Sequence, residues 1–454
     1  MLYRRLESTK HSKTTISAQQ KRYQKLGDWT DGYRGDIGYS FSYFNELNPT
    51  RIRLVLLSQG FDCPDIKTAC ELGFGQGVSI NIHSAGSNIE WHGNDFIPEQ
   101  AVFARKLAEI SGANTHLYDD SFDEFQQRTD LPKFDFIALH GVWSWISDSN
   151  RETIIKIIKD RLNVGGILYI SYNTHPGWST FAPLRQLMAQ HTQVMGAKGS
   201  GVLNRIDDSI SFTSEFLKCK PKFAMLSNVA SKKFEEIRKE NRHYLAHEYF
   251  NADWHISFFA EVAKKLSEIK LNFACSAHLL DHIDSVNFTA DQREFLRSIT
   301  DPMLRESTRD LIVNQGFRRD LWVKGAQKLS ALEKFEKLRD TKLVLIIPRS
   351  EAKLHIKGPA GEISLKESFY APILDFLADH QIRRIGELIE NLQQQDFTPS
   401  AIIESALILV ASGYLAVARE EEEIDATLAT TKNLNTALLN RARSFSDIDR
   451  LASP

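Results

Sequence analysis

None of the four cysteines, Cys63, Cys70, Cys219 and Cys275, stands in CxxC or CxxxC spacing, so neither a zinc knuckle nor a disulfide framework is indicated. Long apolar runs are missing as well: nothing approaches the roughly 18 residues that span a bilayer. The opening MLYRRLESTKHSK is polar rather than signal-like, and a cytoplasmic location is expected. An excess of one charge is lacking too. A formal net charge of −2 over 454 residues gives no electrostatic reason to expect nucleic acid or an anionic membrane as partner. What remains is a chain long enough for two or three globular domains with real cores.

The informative stretch is ACELGFGQGVSINI, residues 69 to 82. DIKTACEL reads as a buried strand that delivers Glu71 to its carboxyl end, and Gly73, Gly75 and Gly77 turn the chain into a helix. A second strand, IEWHGND, ends on Asp95, about 20 residues beyond the glycines, where the acidic residue of a nucleotide-binding βαβ unit meets ribose hydroxyls. THLYDD carries Asp119 and Asp120 to the end of a third strand. FDFIALHG and ILYISYN give a fourth and a fifth. This rhythm predicts an α/β fold with a doubly wound, Rossmann-like parallel sheet.

The nucleotide is narrowed by what the loop does not match. GxGxG replaces the dinucleotide pattern GxGxxG, with Val78 where the last glycine would stand, and no GK[ST] follows as a phosphate-binding P-loop requires. NAD and ATP are therefore disfavoured. Glu71, Asp95 and Asp120 supply three carboxyl groups at successive strand ends with no compensating Lys or Arg, which suits a cationic nucleoside. S-adenosylmethionine, with its ammonium, sulfonium, ribose and adenine, has that character.

Taken in order, ELGFGQG, GND, YDDSF, FDFIALHGVWSWIS and ISYNTHPGW resemble a class I S-adenosylmethionine-dependent methyltransferase, in particular the bacterial group with a methyltransferase regulatory domain. HEYFNADWHISFFAEV and NQGFRRDLWVKG extend the resemblance over most of residues 20 to 330. Phe74 and Gln76 depart from it, standing where many relatives carry smaller residues. The resemblance implies a seven-stranded methyltransferase sheet. It also implies that Gly73, Gly75 and Gly77 admit the methionine part of the cofactor, that Glu71 holds its amino group, Asp95 its ribose and Asp120 its adenine amine, with Tyr39, Gln76, Phe96, Ser121, Phe122 and His140 completing the cofactor set. S-adenosylhomocysteine is the implied product, and no metal is expected. The best-known members methylate lysines of outer-membrane proteins, so a protein acceptor from the cell envelope is the implied partner, with a homodimer left open.

Ligands of open α/β sheets lie outside the carboxyl ends of the strands, so candidate catalytic groups are His140, Trp143, Tyr172 and Asn173, with Trp145, His175 and Trp178 nearby. The tryptophans either pack under a loop or face an amine and a sulfonium by cation–π attraction. His140 is either a general base or a strand-end histidine satisfied by backbone. His243 and His247, four apart with Glu248 and His255 near in sequence, read as a solvated or cofactor-capping helix face rather than a zinc site.

Domain boundaries follow from pattern changes. Residues 1–45 are expected to form a helical segment over the cofactor site, 46–180 the cofactor-binding core, 181–265 a helical regulatory or substrate insertion, and 266–335 the strands that complete the sheet. Residues 336–454 are expected to form a winged-helix-like unit with its own core: a hairpin within LVLIIPRSEAKLHIKG, three helices, and a solvated polar tail after Glu420 to Glu423. It lacks a basic recognition stripe, so protein contact suits it better than DNA. Three functions stay in play: a protein-lysine methyltransferase, a methyltransferase acting on a sugar, polysaccharide precursor or small molecule, and a cofactor-binding regulatory module without turnover.

Overall fold

Strand and helix alternate from residue 49 onward. In the computed structural model, α1 (Pro49–Ser58) leads into β1 (Thr68–Leu72), followed by α2 (Val78–Ala85), β2 (Glu90–Asn94), α3 (Pro98–Ser111), β3 (Thr115–Tyr118), α4 (Phe122–Gln127), β4 (Phe134–Leu139), α5 (Asp148–Arg161) and β5 (Leu162–Asn173). The structure describes residues 41–195, 201–226, 228–392 and 397–445. The alternation has local causes. Pro49 and Pro98 open α1 and α3, in the first turn where a missing N–H leaves no gap. Ser121 and Glu124 form a capping box on α4, and the Ser147 side chain accepts from Asn150 N to start α5.

The seven strands run in the order β3-β2-β1-β4-β5-β7-β6, where β6 is Asn272–Ser276 and β7 is Phe317–Val323. The first five are parallel, whereas β7 lies antiparallel to both β5 and β6. Strand order reverses between β1 and β4, which opens a crevice at their carboxyl ends. Both faces are covered, as a doubly wound sheet requires. Ile52, Ile80, Trp91 and Ala101 pack on one side, and Phe125, Ile154, Ile158 and Trp322 on the other.

Between β5 and β6 the chain makes α6 (Ala182–Val194), α7 (Val202–Lys218), α8 (Lys222–Leu226), α9 (Val229–Ile237), α10 (Arg242–Tyr249) and α11 (Phe259–Ser267). Phe181, Leu184, Ile206, Phe234 and Leu245 give this insertion a core of its own. Helix α11 does not share it: Phe259, Val262 and Leu266 pack against the sheet with Trp322. Three further helices, α12 (Asp284–Asn287), α13 (Ala290–Ser298) and α14 (Pro302–Val313), separate β6 from β7.

The remainder comprises α15 (Ala331–Asp340), β8 (Lys342–Leu345), β9 (His355–Gly358), β10 (Gly361–Ser364), α16 (Glu367–Phe376), β11 (Arg383–Arg384), α17 (Ile385–Leu392), α18 (Pro399–Ala411), β12 (Leu415–Val417) and α19 (Glu421–Ser444). Three expectations are corrected here. The hairpin is β9–β10, while β8 pairs with β11 and β12 instead. The segment has no separate core: Leu343, Leu345, Leu374, Leu388 and Leu409 are continuous with Ile52, Val55 and Ala69 of the sheet domain, and Arg51 Nη1 donates to Val410 O at 3.2 Å. The tail is not a solvated end. Leu434 and Leu438 of α19 are buried with Ala85 and Leu107, and Thr430 Oγ1 donates to Ala85 O at 2.7 Å. Among the described residues, no helix is long and apolar enough to cross a membrane.

Candidate functional site

A cavity of about 300 Å³ opens at the carboxyl ends of β1 to β4. Gly73 and Gly75 line it from the loop after β1, Asn94, Asp95, Phe96 and Ile97 from β2, Ser121, Phe122 and Asp123 from β3, and His140, Gly141 and Val142 from β4. Its outer wall is Trp145, followed by His247, Glu248 and Asn251 from α10 and the turn after it. That volume is at the lower end of the range for pockets that take a small organic ligand.

The loop geometry requires its glycines. All three have positive φ, and a Cβ on Gly73 would come within 2.7 Å of Val142 Cγ2. The Asp95 carboxylate ties this loop to the next: Oδ2 accepts from Gly75 N at 2.8 Å and Oδ1 from Ile97 N at 3.0 Å. Burial pushes the Asp95 carboxyl up to about 7, even though these two N–H groups favour its charged form. Glu71 lies at the end of β1, buried, and is pushed up to about 8, first by burial and then by the charge of Asp95. Two buried acceptors at this end of the sheet have no partner among the described residues, Glu71 Oε2 and Asn94 Oδ1. Buried polar atoms without a partner are uncommon in protein interiors, and a ligand with donors would satisfy these two. No Lys or Arg lines the cavity among the described residues, whereas Asp95, Asp123 and Glu248 do.

His140 lines the cavity as expected. Its Nδ1 lies 2.8 Å from Tyr169 Oη, and its ring lies 3.9 Å from that of Phe44. Burial lowers its pKa to about 4, so the ring is neutral near pH 7. Such a histidine is a weak base. Accepting a proton from an ammonium of pKa about 10.4 would run uphill by about 6 units.

Other expected residues are placed elsewhere. Trp143 is 1% exposed and packs in the core beneath the sheet's carboxyl edge, with the Arg151 guanidinium 5.9 Å from its ring. Tyr172 is fully buried, and its hydroxyl donates to Asp320 Oδ2 at 2.8 Å. It thereby joins a buried ion cluster in which Arg318 donates to Asp320, Asp310 and Glu306. Asn173 is buried, and its N–H donates to Ser144 Oγ at 2.8 Å. Asp120 does not line the cavity, because Arg128 Nη1 holds its carboxylate at 3.1 Å. Neither Gln76 nor Gly77 is among the residues that line the cavity, and Gly77 abuts Ala104 of α3. Tyr39 and most of the expected covering segment lie outside the described residues.

Among the tryptophans singled out, Trp145 reaches the cavity. Its ring packs on Trp254 at 6.3 Å, Trp254 meets Trp178 edge-on at 5.3 Å, and Lys233 Nζ lies 3.6 Å from the centre of the Trp178 ring. A band of indoles thus runs from the cavity into the insertion and holds an alkylammonium at its far end. The pair His243 and His247 diverges. His243 is exposed, while His247 is buried and lines the cavity together with half-buried Glu248.

Comparison with known proteins agrees with this architecture. A family model described as "Predicted methyltransferase regulatory domain" matches residues 241–324, which takes in α10, α11, β6 and β7 and overlaps the expected insertion only at its end. The uncharacterized protein sll1526 of Synechocystis sp. is 36% identical over 431 residues, covering 94% of this chain and 84% of that one. The uncharacterized protein RP789 of Rickettsia prowazekii is 25% identical over 323 residues, or 70% of this chain, which spans 57% of that relative's length. Among solved structures, PKMT2 from Rickettsia typhi in complex with AdoHcy shares the fold with a TM-score of 0.63 and 21% identity, covering 84% of this chain and 77% of that one. With this sheet order, this glycine loop and these relatives, the chain belongs to the class I S-adenosylmethionine-dependent methyltransferases that carry a methyltransferase regulatory domain.

Proposed function

We propose that the chain binds S-adenosylmethionine in this cavity and methylates a lysine amine of a polypeptide. The observation that supports the cofactor is Asn94 Oδ1, a buried acceptor without a partner among the described residues, which lines a cavity with no Lys or Arg among its described lining residues; Glu71 Oε2, likewise unpartnered, stands at the end of β1 and is not itself among the lining residues. Glu71 is suited to an ammonium, and each Asp95 oxygen retains a lone pair for a ribose hydroxyl beyond the N–H it accepts. Phe96, Ser121 and Phe122 frame the position of a base. PKMT2, which shares the fold, was solved with AdoHcy, and this supports the same reading.

When bound, S-adenosylmethionine supplies a methyl group on a sulfonium, open to in-line attack by the acceptor nitrogen. The protein's contribution is alignment and exclusion of water. Trp145, His247 and Asn251 close the outer wall. His140 is a neutral wall rather than a base, so the amine loses its proton to solvent before attack. The lysine reading rests on the indole band. Its far end already holds the Lys233 ammonium, and Glu248 adds a carboxylate to the cavity that Trp145 lines.

The test is transfer of labelled methyl from S-adenosylmethionine to envelope proteins, glycans and small molecules of the source cell, followed by mass mapping of the acceptor. Label on lysine, at a rate that rises with pH as the amine deprotonates, is expected. Trp254→Leu should lower protein methylation about tenfold while leaving cofactor affinity within about threefold. Label confined to a glycan or metabolite would overturn the lysine assignment and leave the cofactor assignment standing.

A further inference from the structure

We propose that Glu90, His92 and His116 form a binding site for a divalent transition metal of the zinc class at the outer edge of the sheet. Strand register brings them together. Glu90 and His92 alternate onto one face of β2, and His92 pairs with His116 of the edge strand β3. Glu90 Oε1 lies 3.1 Å from His92 Nε2 and 3.4 Å from His116 Nε2, and the three ligand atoms all fall within 4.8 Å of one another. Bonds of about 2.0–2.1 Å in tetrahedral geometry place ligand atoms roughly 3.3–3.4 Å apart; the Glu90–His116 separation matches such an edge and the Glu90–His92 separation is a few tenths of an ångström shorter.

The donor set also fits. Two imidazoles and a carboxylate suit zinc and its neighbours and disfavour calcium or magnesium, which take oxygen ligands. His92 faces the cluster through Nε2, the atom that meets Glu90; its Nδ1 is buried with no partner among the described residues, so metal binding at Nε2 leaves the Nδ1 proton without an acceptor, a cost the site must meet. The His92 and His116 rings stack at 4.7 Å, and Asn114 Oδ1 sits 3.1 Å from His116 Nε2, an oxygen at hand beside the open position. None of the three ligands lines the cofactor cavity, and Glu90 begins β2 whereas the cavity lies at the strand's other end. The site is a clasp on the edge strand, separate from methyl transfer. It was invisible to helix or knuckle spacing, since His116 follows His92 by 24 residues and meets it across two parallel strands.

The experiment uses untagged full-length protein, stripped with chelator and titrated with zinc by calorimetry, with cobalt as a spectroscopic probe. The expected result is one zinc bound at this site, tetrahedral-type cobalt absorption, and a zinc-dependent rise in the thermal midpoint. His116→Ala and Glu90→Gln alter half-exposed side chains and should each weaken zinc binding at least about tenfold, the scale for loss of a metal-site partner, while leaving S-adenosylhomocysteine binding intact as proof of folding. Equal zinc binding and equal thermal shifts in wild type and both variants would overturn the proposal, as would no binding at all.

Discussion

Glu71 and Asp95 place two carboxyl groups in one buried corner, and their titration is the most accessible consequence of the site. Both are raised well above the ordinary carboxyl range, to about 8 and about 7. The folded apoprotein therefore holds more protons than the unfolded chain between about pH 4 and 8, and this pair makes folding less favourable as pH rises through that window. A cation binding at Glu71 favours the carboxylate, so cofactor affinity should increase from pH 6 to about 8 and release a proton. Calorimetry of S-adenosylhomocysteine in buffers of different ionisation enthalpy measures that release. Glu71→Gln should weaken binding by about 1.5–3 kcal/mol, the scale of hydrogen bonds to charged groups, and remove the upper part of the pH dependence. A pH-independent affinity in wild type would count against Glu71 as the ammonium's partner. Gly73, Gly75 and Asp95 were legible in the sequence because a glycine turn and a strand-end acid act over about 20 residues. Trp143 and Trp145 were not separable, because the chain turns there in a short 3-10 helix and turn geometry decides which indole faces inward. Tyr172 was misread for a different reason: its partner Asp320 is 148 residues away.

At the level of elements, the glycine loop and helix α2 are held by close packing as much as by turn conformation. A Cβ at Gly77 would stand 2.3 Å from Ala104 Cβ at a φ of +69°, whereas at Gly165, with φ +84°, nothing lies within 4 Å. Both alanine variants suffer the left-handed strain of about 1–2 kcal/mol, and only Gly77→Ala adds overpacking of about 1–3 kcal/mol. Urea unfolding of the two should separate these contributions. Equal destabilisation would show that α2 and α3 move apart freely. The strand–helix alternation was readable in the sheet domain, since the central parallel strands β1, β4 and β5 are largely apolar and glycine turns or capping residues punctuate the chain between elements. The hairpin was misplaced because alternation in LVLIIPRSEAKLHIKG reports a strand without reporting its partner, and β8 finds its neighbours at 383–384 and 415–417.

The whole molecule is less divisible than composition suggests. Ending the chain after Asp340 would strip Leu343, Leu345, Leu374 and Leu409 from a core shared with α1, and would uncover α2 and α3 where α19 lies. Such a fragment should be poorly soluble or bind S-adenosylhomocysteine at least about tenfold more weakly than the full chain, unlike a severed domain with its own core. A soluble fragment with unchanged affinity would restore the independent tail. The sequence left the His247 and Glu248 face open between solvent and a cap over the cofactor, and did not single out Asn251, because spacing cannot show that the insertion folds back over a site built about a hundred residues earlier.

The long helix α19 has a temporal meaning as well. Thr430 meets Ala85 across 345 residues of chain. During synthesis the glycine loop, α2 and α3 emerge long before the helix that covers them, and loop closure over such a span is slow. Through that interval the apolar backs of Ala85 and Leu107 lack the cover that Leu434 and Leu438 later supply. This patch is therefore one place where a nascent chain is open to chaperone capture or to a neighbouring copy's α19 in place of its own.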